Sequence, residues 1–201
     1  KYFGNLKYAQ SENEKIDIDN QTKRFISKKI AWCASSTHNS EEKFVGQVHN
    51  KLKKKYQNLL TVIIPRHIDR KDQIKDQLSH MGLKTHMHEP KTKINKNTDI
   101  YLVNSFGKTK SFYSILDNVL LGGSIIDHGG QNPLEAVRYN CNIIHGPNVS
   151  NFYEIYNFLN NKKISTKVYN INQAANTLDK LFASKKLQKN IKNKIIMIGQ
   201  Q

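Results

Sequence analysis

Four glycines, a proline and a carboxylate stand close together in the run Gly122-Gly123-Ser124-Ile125-Ile126-Asp127-His128-Gly129-Gly130-Gln131-Asn132-Pro133-Leu134-Glu135. Gly122, Gly123, Gly129 and Gly130 let the backbone approach a ligand and take positive φ. Asn132-Pro133 starts a helix with proline in its first turn, and the N–H groups at that helix start then face the glycine loop as an anion site. Glu135 sits one turn in, where a carboxylate accepts hydrogen bonds from a ribose diol. The chemistry implied is the holding of a phosphorylated, ribose-bearing ligand. The spacing is not G-x-G-x-x-G and the run comes late in the chain, which argues against an NAD site of the Rossmann type. Taken alone, such a loop is as often a plain turn.

Two further segments carry polar groups just past apolar runs. Ser35-Ser36-Thr37-His38 offers hydroxyls and free N–H groups at a helix start, suited to an anion or simply to capping. In Pro65-Arg66-His67 the arginine is placed for a charge-assisted contact with phosphate or carboxylate, with pairing to Asp69 as the plainer alternative. His86-x-His88, followed by Glu89, puts two imidazoles on one strand face, but no further ligand cluster accompanies them. Cys33, Cys141 and Trp32 read as core residues.

The elements that must position these groups follow from hydrophobic period. Ile30–Ala34 and Leu59–Ile64 are short apolar runs of the buried-strand kind, and shorter strands are expected over 84–87, 99–103, 118–121 and 142–145. Between them, Phe44, Val48, Leu52 and Tyr56 form a helical stripe opened by Asn39 and Glu42 at capping-box spacing, with Glu41 and Glu42 on the positive helix end. Further helices are expected over 69–81, 108–116, 132–139 and 151–159, the last opened by an Asn151/Glu154 capping box, and Ile171, Ala174, Ala175, Leu178, Leu181 and Phe182 make the widest stripe. Strand and helix in alternation predict an α/β fold, a parallel sheet with helices on both faces. In such a sheet the three polar loops converge on the carboxyl edge, where ligands bind. Residues 1–29 lack sustained periodicity and read as a linker or entry arm, 30–184 as the binding domain, and 185–201 as a basic amphipathic helix with Leu187, Ile191, Ile195 and Ile198 on one side.

With 201 residues the chain is long enough for one domain with a sizeable core. No run reaches the roughly 18–20 apolar residues of a membrane span, residues 1–5 lack a signal-peptide core, and two cysteines make no disulfide framework, so a reducing cytosolic setting is expected. The formal charge of +16 invites a nucleic-acid partner. The lysines are scattered, densest at 51–55 and 185–194, without interleaved aromatic residues, so a solvated surface or one facing anionic lipid explains them as well.

Taken in order, Gly4-Asn5-Leu6-Lys7, Ala34-Ser35-Ser36-Thr37-His38-Asn39-Ser40-Glu41-Glu42, Ile64-Pro65-Arg66-His67, Leu121 to Glu135, Gly146-Pro147 and Asn151-Phe152 resemble the C-terminal domain of the Kdo transferases. Those bacterial enzymes move 3-deoxy-D-manno-octulosonic acid (Kdo) from CMP-Kdo to the lipid A precursor. The resemblance implies the Rossmann-like C-terminal half of a GT-B glycosyltransferase, which binds CMP-Kdo without a cofactor or a metal. It further implies that the catalytic base and the lipid A precursor belong to an N-terminal domain absent from this chain, and that the whole enzyme works at the cytoplasmic face of the inner membrane. A chain that starts at Lys1 agrees with a fragment or processed product. By the same resemblance Arg66 meets the phosphate or the Kdo carboxylate, Asn132 the phosphate and Glu135 the ribose. Ser36, Thr37, His38, His67, Gly122, Gly123, Ser124, Gly129 and Gly130 border the same space. The chain departs from the family in carrying Ser40 where glycine is usual, and in the less apolar Ala136-Val137-Arg138-Tyr139. A different nucleotide-sugar enzyme of this architecture, glycosyltransferase or epimerase, and a basic nucleic-acid-binding module are the alternative readings.

Overall fold

A computed structural model describes residues 18–89 and 92–184. Seven strands form one wholly parallel sheet: β1 (Ile30–Thr37), β2 (Leu59–Pro65), β3 (Thr85–Met87), β4 (Ile100–Leu102), β5 (Asn118–Leu121), β6 (Asn142–His145) and β7 (Ser165–Lys167). Their order is β3-β4-β2-β1-β5-β6-β7. The chain therefore winds outward from β1 in one direction and then, from β5, in the other. The crevice between β1 and β5 is the switch point at which open α/β sheets take their ligands.

Side chains alternate across the strands, and each face has its own core. Trp32, Ala34, Leu59, Ile63, Leu120 and Ile144 pack under α2 (Glu41–Lys53), α3 (Lys71–His80) and α7 (Ile171–Ala183). Cys33, Leu60, Val62, Val119 and Ile143 pack on the other face with residues of α1 (Asn20–Ser27), α4 (Thr109–Tyr113), α5 (Leu134–Arg138) and α6 (Tyr153–Asn161). The doubly covered parallel sheet is the one the hydrophobic periods predict. Cys33, Cys141 and Trp32 are fully buried, and both cysteines are free thiols that burial pushes well above the usual range.

Several local expectations change. Inside the segment read as a linker, residues 20–27 form α1: Asp19 accepts a hydrogen bond from the Thr22 N–H at 2.9 Å, and Ile26 is buried in the core. One buried apolar residue in two turns is too few to show a period. Helix α2 starts without its capping box, since Ser40 stands at the N-cap with φ of 76° and makes no side-chain cap bond. Asn151 is likewise drawn away from capping α6, donating from its amide to the His128 carbonyl at 3.3 Å. The α2 stripe is rotated, with Val45, Val48, His49 and Leu52 innermost and Phe44 and Tyr56 only partly covered. Helix α5 is shorter than expected, beginning after Pro133. The expected helix over 185–201 and the Gly4–Lys7 match lie outside the described residues. Among the described residues no helix is long and apolar enough to cross a membrane.

Candidate donor site at the carboxyl edge of the sheet

The loops leaving β1, β2 and β5 meet at the switch point because their strands are parallel neighbours. The close approach is set by Gly122. Its amide donates to the Ser35 carbonyl at 2.8 Å, and a Cβ placed on it would lie 2.2 Å from the Ser36 carbonyl oxygen. Ser36 itself has φ of 56°, where the β1–β2 register slips. These residues lock the two strand ends together.

The glycine run then delivers its N–H groups to a carboxylate of the chain itself. Glu41, fully buried at the first turn of α2, accepts at Oε2 from His38 N (3.0 Å) and Gly123 N (2.7 Å), and at Oε1 from Ser124 N (3.1 Å) and Ile125 N (3.0 Å). The Ser124 hydroxyl donates to the Leu121 carbonyl at 2.5 Å and accepts from Gly146 N at 2.9 Å. Gly122, Gly123 and Ser124 therefore have no free backbone donor for a ligand phosphate. Glu41 takes the N–H groups of Gly123 and Ser124, and the Ser35 carbonyl takes that of Gly122, so the three residues border the crevice through their close backbone approach.

Glu42 is treated in the same way. Also fully buried, it is held by both terminal nitrogens of Arg70 at 3.1 Å and by the Thr37 hydroxyl at 3.0 Å. Thr37 thus donates its hydroxyl proton to the scaffold while standing at the crevice edge. A bidentate pair neutralises a charge whose burial alone would be costly.

Arg66, His67 and His128 remain open at the crevice, with Asp127 exposed beside His128. Arg66 and His67 are exposed just past β2, and Arg66 has no ion-pair partner among the described residues, Asp69 included. The His38 ring stands 4.0 Å from that of exposed His128 and 5.8 Å from that of His67, centroid to centroid. Burial first, then the charges of His128, His67, Arg66 and Arg70, push the His38 imidazole down to about 4. It is neutral at pH 7, and the Gln131 amide, 3.2 Å away, donates to its Nε2 lone pair.

The second half of the glycine run is shaped by turns. Gly129 and Gly130 have φ of 87° and 77°, and a Cβ on Gly129 would collide with the Asn151 side chain at 2.3 Å. The Gly130 amide donates to the Gly123 carbonyl at 2.7 Å, folding the loop back over its own start. Exposed Asn132 accepts from Leu134 N at 3.0 Å, opening α5, and half-exposed Glu135 lies in the first turn of that helix with Lys110 3.8 Å away. Tyr156 fixes the loop from below through a 2.8 Å bond to the Gln131 carbonyl.

Ser36, Thr37, His38, Arg66, His67 and the glycine run lie at one edge, as the strand pattern predicts, and four more residues that local pattern does not single out join them. Glu41 reads in sequence as an acid on a positive helix end, and Arg70 and His128 carry no signal of their own. Phe106, 75 % exposed beside Gly107 on the loop leaving β4 at the same edge, had no periodic context. The His86/His88 pair is absorbed elsewhere: His88 is buried against the Tyr101 hydroxyl at 2.6 Å, and the nearest polar contact of His86 is Thr92. Among the described residues no three His, Cys, Asp or Glu side chains gather as a metal would require.

No protein-family model matches the chain. It is 34 % identical over 158 residues to the 3-deoxy-D-manno-octulosonic acid transferase of Haemophilus influenzae, covering 78 % of this chain and 37 % of that enzyme. It is 27 % identical over 183 residues to the enzyme of the same name from Aquifex aeolicus, covering 91 % of this chain and 48 % of that enzyme. The chain thus spans less than half the length of these curated relatives. In fold it matches the C-terminal CMP-Kdo binding domain of WaaA from Acinetobacter baumannii with a TM-score of 0.82 at 21 % identity, over 90 % of this chain and 94 % of that domain. WaaG, a glycosyltransferase of lipopolysaccharide biosynthesis, matches with a TM-score of 0.56 over 92 % of this chain and 48 % of its own. The fold shared with a CMP-Kdo binding domain, and 34 % identity to the Haemophilus influenzae enzyme over 78 % of this chain, place the chain in the Kdo transferase family, as a counterpart of its C-terminal domain.

Proposed function

We propose that this domain binds CMP-Kdo in the crevice between β1 and β5 and presents it for transfer of Kdo to the lipid A precursor. The observation that carries the reading is the sorting of charge at the crevice. Glu41 and Glu42, at the first turn of α2, are buried and consumed internally, while Arg66, His67 and His128 stay exposed around neutral His38, with exposed Asp127 the acid beside them. That leaves a site with a positive bias for a phosphate and a sugar carboxylate.

Arg66 meets the phosphate or the Kdo carboxylate, and the start of α5 at Asn132 meets the phosphate. Glu135 takes the ribose hydroxyls after parting from Lys110, and the exposed Phe106 ring offers a stacking face for the base. Transfer breaks the bond between the anomeric carbon of Kdo and a CMP phosphate oxygen, and negative charge builds on the departing CMP. A cation fixed beside that oxygen, Arg66 first, stabilises it without reorganising. The acceptor and the base that deprotonates it come from a domain beyond this chain, at the cytoplasmic face of the membrane, so the domain by itself holds donor and does not transfer it.

Thermal unfolding with added nucleotide tests the reading. Binding to the folded state alone stabilises it by about 2.7 kcal/mol at a hundredfold excess over Kd. CMP is expected to raise the midpoint while UDP and ADP leave it unchanged. A rise with UDP alone would point to a different nucleotide sugar.

A further inference from the structure

The opposite edge of the sheet, where β2 and β4 begin, holds a second concavity, of about 710 Å3. Five lysines line it, Lys28, Lys29, Lys53, Lys84 and Lys96, against a single carboxylate, Asp99. Its apolar floor includes Phe25 and Leu59. Asp99 has no charge to spare for the lysines around it. It is bonded to the Lys53 ammonium and accepts from Lys84 N at 2.9 Å, with the His49 ring 3.8 Å away. Burial by itself would raise the Asp99 carboxyl, but hydrogen bonds from His49, Lys53 and the Lys84 amide hold it well below the usual range.

The rim is built. The Lys29 ammonium donates to the Lys96 carbonyl at 2.7 Å and lies 5.2 Å over the Phe25 ring, while the Asn58 amide donates to the Lys28 carbonyl at 2.5 Å. Burial lowers the Lys29 ammonium, Asp99 opposes it, and the charge of Lys53 adds a smaller lowering. Lys28 and Lys53 stand at the C-terminal ends of α1 and α2, where a lysine complements the helix dipole. That account does not extend to Lys84 and Lys96, which lie on the loops entering β3 and β4. No ion pair engages Lys28, Lys84 or Lys96 among the described residues.

We infer that this cleft is a second anion site, for a phosphate-bearing group held by several ammonium donors, separate from the nucleotide crevice at the other edge of the sheet. Several mobile ammonium groups around one hollow suit a compact, multiply charged oxyanion better than a planar carboxylate, which favours the arginine fork. The volume is that of a small-molecule site, with room for more than a single ion. Such a group is either the phosphate of a free metabolite or that of an anionic lipid headgroup.

The test uses the 201-residue chain, with inorganic pyrophosphate followed by calorimetry and with phosphatidylcholine vesicles, with and without phosphatidylglycerol, followed by sedimentation. The variant Lys28→Gln/Lys84→Gln/Lys96→Gln changes three exposed side chains and is compared with Lys43→Gln/Lys75→Gln/Lys167→Gln, which removes the same charge elsewhere. The cleft variant is expected to lose about tenfold or more in affinity, an effect of about 1.4 kcal/mol, with the control variant within about twofold of the parent. Loss confined to pyrophosphate assigns the site to a free phosphate, and loss confined to phosphatidylglycerol vesicles assigns it to a headgroup. Binding of neither probe, or an equal loss in the control, overturns the inference. Saturating CMP should leave pyrophosphate binding at the cleft unchanged, so failure here is distinct from failure at the nucleotide crevice.

Discussion

The Glu41 carboxylate lies 2.7 Å from the amide nitrogen of Gly123, across 82 residues of sequence and across the mouth of the crevice. With three further amides on the same carboxylate, the arrangement is an anion hole filled by the protein's own side chain. The hole holds the glycine loop to the start of α2 and leaves ligand binding to the groups around it. Truncating Glu41 would strand four buried or half-buried N–H groups, each costing about 1–3 kcal/mol when unsatisfied. Glu41→Ala is therefore expected to lose about 3 kcal/mol or more in urea unfolding, part of the loss being recovered by local water. A stability near that of the parent would show that the four bonds are dispensable.

Arg66 and Arg70, four residues apart, separate binding from stability. Arg66→Ala removes an exposed, unpaired guanidinium, so the unfolding free energy should stay within about 0.5 kcal/mol of the parent, while CMP affinity falls by about tenfold as one charge-assisted contact is lost. Arg70→Ala leaves Glu42 buried and uncompensated, and about 3–5 kcal/mol of stability should go with it. Titration calorimetry and denaturant unfolding on both variants read the two effects independently.

His38 gives the fold a pH dependence of defined sign. Its folded value of about 4 lies below that of an exposed histidine, so between about 4 and about 6.5 the unfolded chain binds the extra proton. Its contribution to stability is complete above about pH 6.5 and is lost progressively as pH falls toward about 4. His38→Gln should flatten that part of the profile, measured as the urea midpoint across a pH series. An unchanged slope would mean that another group titrates there.

Ser40 occupies a left-handed conformation, φ of 76°, at the N-cap of α2, without a side-chain bond to the helix. A non-glycine residue there costs about 1–2 kcal/mol. Ser40→Gly is expected to raise the unfolding free energy by about 1 kcal/mol, and its crevice chemistry should not change because the side chain only bounds a cap.

Gly122→Ala tests the contact between β1 and β5. The added methyl would sit 2.2 Å from a backbone oxygen that cannot step aside. Overpacking of this kind costs about 1–3 kcal/mol or more, and the melting temperature of the purified variant should fall accordingly, with a matching loss of soluble yield.

The sheet, its doubly covered faces and the edge at which the site lies were legible in sequence because they rest on local period. Runs such as Leu59–Ile64 bury in any parallel sheet, and loops that follow parallel strands share an edge whatever their residues. The likeness of Pro65-Arg66-His67 and of the Gly122–Glu135 run to a known family identified the edge further. Which groups on that edge are free was decided only in three dimensions. Glu41 and Glu42 look in sequence like acids complementing a helix dipole, and the folded chain instead buries them against Gly123 and Arg70. Asn39, Asn151 and Thr37 have the residue types of caps and ligands, yet a closer partner claims each of them. A backbone N–H or a hydroxyl has capacity for one donated bond, and which acceptor reaches it first depends on distances set by packing, which no local pattern encodes.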